Sequence, residues 1–160
     1  MDNELTNRLH GVEQRLAAHS RTAKPAGLTE PDEGGTERWE AGQVWAHIAE
    51  FVPYWHGQLE KVVSGFRGAP VPFGRTKTDA GRIGAIEENR NEPIAAHMAA
   101  THASLEALEG YVGRLSAANW AAVGMHPIRG EMSVEQILKT FAVDHLEEHA
   151  DQLDGLSAAH

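Results

Sequence analysis

The chain has 160 residues, 41% of them hydrophobic and 23% charged, which suits one folded domain spanning residues 1–160 with a core of its own. No apolar run approaches the roughly 20 residues of a membrane span, and Met1 to His10 lacks the basic start and apolar stretch of a secretory signal, which points to a cytoplasmic protein with no membrane partner. The net charge of −9, with the basic residues scattered, argues against nucleic acid as a partner, and the absence of cysteine excludes disulfides, thiolate metal sites and a thiol nucleophile from the chain itself.

Leu5, Leu9, Val12 and Leu16 fall at helical intervals and predict a first amphipathic helix of about four turns. Ala23 to Gly35, with two prolines, three glycines and no periodic apolar face, reads as a connection. From Glu40 the positions Val44, Ile48, Phe51, Val52, Trp55, Leu59 and Val62 mark a second helix running to about Ser64, with Pro53 expected to kink or split it near Val52. Gly65 to Gly81 is a second connection, followed by a short helix over Asp79 to Asn89. A third long helix starts with Pro93 in its first position and buries Ile94, Met98, Leu105, Leu108, Val112 and Leu115. After a loop from Asn119 to Glu131, Ser133 and Gln136 form a capping box between the apolar pair Met132 and Ile137. The last helix then carries Val134, Ile137, Leu138, Phe141, Leu146 and Leu153 to a stop at Gly155. No segment alternates with period two, so no strand is expected. The fold class is all-α, a four-helix bundle.

Ten histidines are present, and two of them, His145 and His149, stand four apart on the last helix, where both imidazoles share one face and converge on one point. Among ten histidines such a spacing also arises by chance, and a metal needs a third ligand. His47 lies mid-helix beside the buried position Ile48, where a lone histidine is more often a satisfied core residue than a ligand. His97 and His102, five apart, diverge around their helix, and His10, His19, His56 and His160 show no convergent spacing.

Read together, the segment WEAGQVWAHIAE from Trp39, the segment HLEEH from His145, and the turn from Gly124 to Gly130 ahead of Met132 and Ser133 resemble the DinB-like superfamily, the YfiT-like metalloenzymes, along nearly the whole chain. The resemblance implies an up-down-down-up bundle with long connections, a metal site of His47, His145 and His149, and pairing into homodimers. Two positions depart from the family pattern. Leu146 follows His145 where many relatives carry an acid, with Asp144 preceding it instead, and Glu40 occupies the start of the second helix where Ser is common; the second change should act on local stability.

Three neutral imidazoles leave a coordination position for water or substrate, as catalytic zinc sites do. Zinc is the first choice of divalent metal, with nickel and ferrous iron as alternatives that imidazole ligation does not separate. The resemblance further implies a thiol-dependent S-transferase acting on a small electrophile, with an external low-molecular-weight thiol as cofactor, while metal-assisted hydrolysis would use the same site and a non-catalytic metal-binding or dimerisation bundle is the rival from another class. Gln152, three after His149, either orients an imidazole or is an exposed polar residue. Phe51 and Tyr54 follow His47 by four and seven positions and line a pocket mouth or pack the core. His126, in a loop ahead of the last helix, faces the ligand cavity or solvent.

Overall fold

The stripe Leu5, Leu9, Val12 and Leu16 is buried along α1 (Asn3–His19). The computed structural model describes residues 3–31 and 36–158; the end of the first connection, residues 32–35, and the extreme ends, His160 among them, lie outside the described residues. Next come α2 (Ala41–Gly65), the two-residue strand β1 (Val71–Pro72), α3 (Ala80–Asn89), α4 (Ile94–Val112) and the single turn α5 (Ala117–Trp120). A hairpin of β2 (Val123–His126) and β3 (Gly130–Ser133) leads into α6 (Val134–Leu138), a π-turn over Lys139–Asp144, and α7 (His145–Ala158).

Side-chain pairings give the directions of the long helices. Arg8 reaches Asp144 and Glu147, and Arg15 reaches Asp151 and Asp154, so α1 and α7 run parallel. His10 with Glu109 and Glu13 with His102 make α1 and α4 antiparallel. The start of α2 lies against the end of α3, just ahead of α4, while Leu59 and Val62 near its end share a core cluster with Leu108 and Val112, so α2 and α4 run parallel. The bundle is therefore up-down-down-up. At Gly42 the crossing leaves no room for a side chain, since a Cβ there would lie 2.1 Å from the carbonyl oxygen of Arg90.

Two apolar clusters fill the interior. One joins α1, the first half of α2, Leu105 and α7; the other joins the second half of α2, the end of α4, Phe73, Met132 and α6, with Trp55 packed against both. Leu16, Ile48, Phe51 and Leu146 have no exposed surface, and each such side chain contributes about 1.5–3 kcal/mol by leaving water.

Several expectations need correction. The region from Gly65 to Glu131 contains strands after all: β1 pairs parallel with β2 and β2 antiparallel with β3, with Gly124 opposite Met132 and His126 opposite Gly130. The inward positions of β2 are Gly124 and His126, so its alternation carries no apolar signal. α2 runs unbroken through Pro53, which is exposed, so water can reach the carbonyl that proline leaves unpaired. Pro93 caps α4 and lies one position outside it. The last helix continues past Gly155 to Ala158, and it is interrupted earlier, by the π-turn. At the α2 start, where Glu40 is the capping residue, the Gln43 side-chain oxygen accepts from the Glu40 N–H at 3.0 Å and the Glu40 carboxylate accepts from Arg90 at 2.9 Å. Among the described residues no helix is long and apolar enough to cross a membrane.

Candidate metal centre

α2 and α7 run antiparallel across the first core cluster, and this brings His47 opposite His145 and His149. The Nε2 atom of His145 lies 3.1 Å from Nε2 of His47 and 3.2 Å from Nε2 of His149. Among the described residues these three form the group of His, Asp or Glu side chains with metal-ligating geometry. His47 and His149 are each 2% exposed, whereas the His145 side chain is 29% exposed and forms the open side. The π-turn ends on Asp144, immediately before His145, and its wider winding sets the rotational phase in which the pair meets α2.

Each imidazole is held at its other nitrogen by the residue three positions later. Nδ1 of His47 lies 3.3 Å from Oε2 of Glu50, Nδ1 of His145 lies 3.3 Å from Oε2 of Glu148, and Nδ1 of His149 lies 2.8 Å from Oε1 of Gln152. A carboxylate or amide oxygen can only accept, so each Nδ1 carries the proton and each Nε2 presents a lone pair. The lone pair of His145, 3.1–3.2 Å from the other two and all three within 4.8 Å, repels them unless a cation lies between. An ion about 2.0–2.1 Å from each nitrogen at the tetrahedral angle sets them about 3.3 Å apart. The donor set fits a divalent metal.

The electrostatics keep the two buried histidines, His47 and His149, neutral. Burial pushes His149 down to about 3, with the His145 imidazole adding to the effect, and burial followed by His149 and His145 holds His47 well below the usual histidine range. Glu50 is raised by burial against the opposing pull of Arg75, and Glu148 is lowered, first by its bond to His145.

Aromatic rings close the site. Phe51, fully buried, touches all three imidazoles with ring centroids 4.5–5.7 Å away, so it is both core and floor. Trp39 stacks on His149 at 6.0 Å and meets His47 edge-on at 5.2 Å, while the Arg82 guanidinium lies 5.3 Å from the Trp39 ring. Thr29 anchors this tryptophan by accepting from its backbone N–H at 3.0 Å and donating its own N–H to the Trp39 carbonyl at 2.8 Å. A groove of about 480 Å³ runs between residues 26–31 and α7 and is bordered by Glu148 and Gln152.

Two of the expected lining residues stand elsewhere. Tyr54 lies one layer out, carrying the Arg75 guanidinium 3.7 Å above its ring and packing on Trp55. His126 is neither in a loop nor solvated: it ends β2, 5% exposed, among Phe73, Phe141 and Trp55. Its Nδ1 accepts from the N–H groups of Ile128 and Arg129, so it closes the hairpin. His97 is buried, with Nε2 3.1 Å from the Asn89 carbonyl oxygen. Sequence reasoning missed Glu50, Glu148 and Arg75; the first two show the same three-residue offset that singled out Gln152.

The sequence matches the family profile described as the DinB superfamily over residues 8–153. No curated protein matches it. Among solved structures the chain is similar to YfiT from Bacillus subtilis, described as a probable metal-dependent hydrolase with an unusual four-helix bundle topology, with a TM-score of 0.72 and 15% identity over 99% of this chain and 89% of that one. It is also similar to the mycothiol-dependent maleylpyruvate isomerase, with a TM-score of 0.64 and 15% identity over 93% of this chain, which spans 60% of the isomerase's length. At this identity the likeness is one of fold.

Proposed function

Since the chain belongs to the DinB superfamily, we propose that it is a metal-dependent enzyme in which His47, His145 and His149 hold one divalent ion, zinc first, and an external low-molecular-weight thiol attacks a small electrophile. The observation that carries this reading is the convergence of three Nε2 lone pairs while every Nδ1 is engaged. A divalent ion there supplies Lewis acidity and lowers the pKa of a thiol or water that meets it. The chain's own part is to orient three imidazoles, to shield those of His47 and His149 from water with Phe51 and Trp39 and so keep them neutral, and to leave the His145 side open. The groove beside Glu148 and Gln152 has room for a small molecule. In the transfer, a sulfur–carbon bond forms, the leaving group departs with its bonding pair, and the thiol proton passes to solvent.

Metal-assisted hydrolysis is the second reading, favoured by the near full-length likeness to YfiT. The experiment begins with metal content: wild type should carry about one ion per chain and His145→Ala far less, and equal sub-stoichiometric content in both would remove the basis of either reading. Metal-loaded protein is then offered thiols with haloarenes and epoxides, and separately esters and amides without thiol. Adducts that require metal support the transferase; hydrolysis without thiol supports the alternative. Pairing into homodimers, which the family resemblance implies, is part of the proposal and is read by light scattering at several concentrations.

A further inference from the structure

His47 is the ligand that must be held in place across a helix interface, because its partners both sit on α7. Its support is correspondingly deeper. Glu50, which faces Nδ1 of His47 with Oε2, meets the guanidinium of Arg75 with Oε1. Arg75 is 11% exposed, sets its guanidinium carbon 3.7 Å from the centre of the Tyr54 ring, and turns its other terminal nitrogen toward Asp79 at 3.6 Å. The segment that delivers it is pinned on both sides: the Phe73 N–H donates to the Met125 carbonyl at 3.1 Å, and the Gly74 N–H donates to Oε1 of Gln58 at 2.8 Å. Gly74 itself adopts φ +88°, and a Cβ there would strike the His126 ring at 2.5 Å, so the turn that aims Arg75 accepts no side chain. The His145 arm has a partner, Glu148, that is 49% exposed.

We infer that Arg75 is a positioning residue for the metal centre, acting through Glu50 to hold the Nδ1–H of His47 and so aim its Nε2 at the ion. The inference rests on the three-histidine reading above. The side chain of Arg75 meets Glu50, Asp79 and the Tyr54 ring, so its contact with the centre passes through one carboxylate, and that makes it separable from a general structural role. An oriented carboxylate behind a ligating imidazole changes metal affinity by about 10–100-fold when lost.

The test uses cobalt(II) as a visible probe, with affinity measured against a chromophoric chelator and the ligand field read from the cobalt absorption bands. Arg75→Met should weaken cobalt binding about tenfold and alter the bands, while the thermal melting of the metal-free protein changes little; Arg75→Lys, which keeps the charge, should recover part of the loss. Glu50→Gln should weaken binding by at least as much, and the double variant Arg75→Met/Glu50→Gln should be no weaker than Glu50→Gln alone, because residues acting in series are not additive. Wild-type affinity and bands in Arg75→Met, or losses that multiply in the double variant, would overturn the role of Arg75 while leaving the metal site standing. Should Arg75→Met fail to fold, Arg75→Lys and Glu50→Gln carry the same comparison. A wild-type protein that binds no cobalt would overturn both this inference and the reading beneath it.

Discussion

Gln152 accepts the Nδ1 proton of His149 at 2.8 Å, so one of the two buried candidate ligands is oriented by a neutral amide where the other two candidates face carboxylates. Gln152→Ala should therefore reduce metal affinity by about tenfold or more without unfolding the bundle, and Gln152→Glu should restore the orientation while adding a charge. His149→Ala should abolish binding. Chelator competition on the three variants orders them.

Because the Nε2 lone pairs of His47, His145 and His149 repel one another when bare, the metal-free protein should be markedly less stable than the loaded one. A metal present at one hundred times its Kd adds about 2.7 kcal/mol. Differential scanning calorimetry with zinc and with a chelator should show the shift, and the His145→Ala variant should show none.

Gly42 admits no Cβ, since the carbonyl oxygen of Arg90 is in the way at 2.1 Å. Gly42→Ala should cost about 1–3 kcal/mol by forcing apart the start of α2 and the end of α3, despite the better helix propensity of alanine. Urea denaturation should show a lower midpoint with little change in slope.

Two histidines outside the site should bend the pH dependence of stability in opposite senses. Burial lowers His97 below the ordinary 6.5, opposed by its bond to the Asn89 carbonyl, so its neutral form belongs to the fold. Its contribution is full above pH 6.5 and is lost as pH falls through the lower folded value. The side-chain bond to Glu13 raises His102, so its contribution is present below pH 6.5 and is lost as pH rises through the higher folded value. His97→Gln should flatten the profile below pH 6.5 and His102→Gln the profile above it, each read as denaturation midpoint against pH.

The helices were legible because burial at period 3.6 leaves a stripe in the residue order, and Leu5 to Leu16 or Ile137 to Leu153 show it plainly. The hairpin was not, because its inward residues are Gly124 and His126 and its strands are four residues long. The parallel pairs of helices came from family resemblance, since nothing local distinguishes an up-down-down-up bundle from any other arrangement. Within the site, the spacing of His145 and His149 follows from helix geometry, while their meeting with His47 depends on the antiparallel crossing of α2 and α7. Glu50 and Glu148 could have been found by extending the three-residue offset to every histidine on a helix. Arg75 could not, because a glycine turn and a two-residue strand deliver it to a carboxylate 25 positions away.

The π-turn at Lys139–Asp144 has a genetic consequence. It accommodates one residue more than an α-helix would over the same rise and rotation, so deleting one codon within it would restore ordinary winding and leave everything downstream in nearly the same rotational phase. His145 and His149 would keep their spacing, their helix, their Glu148 and Gln152 neighbours and their aim at His47. A frame-preserving deletion of one residue is thus tolerable within this turn, whereas the same deletion in an uninterrupted α-helix would turn whatever follows by about 100°.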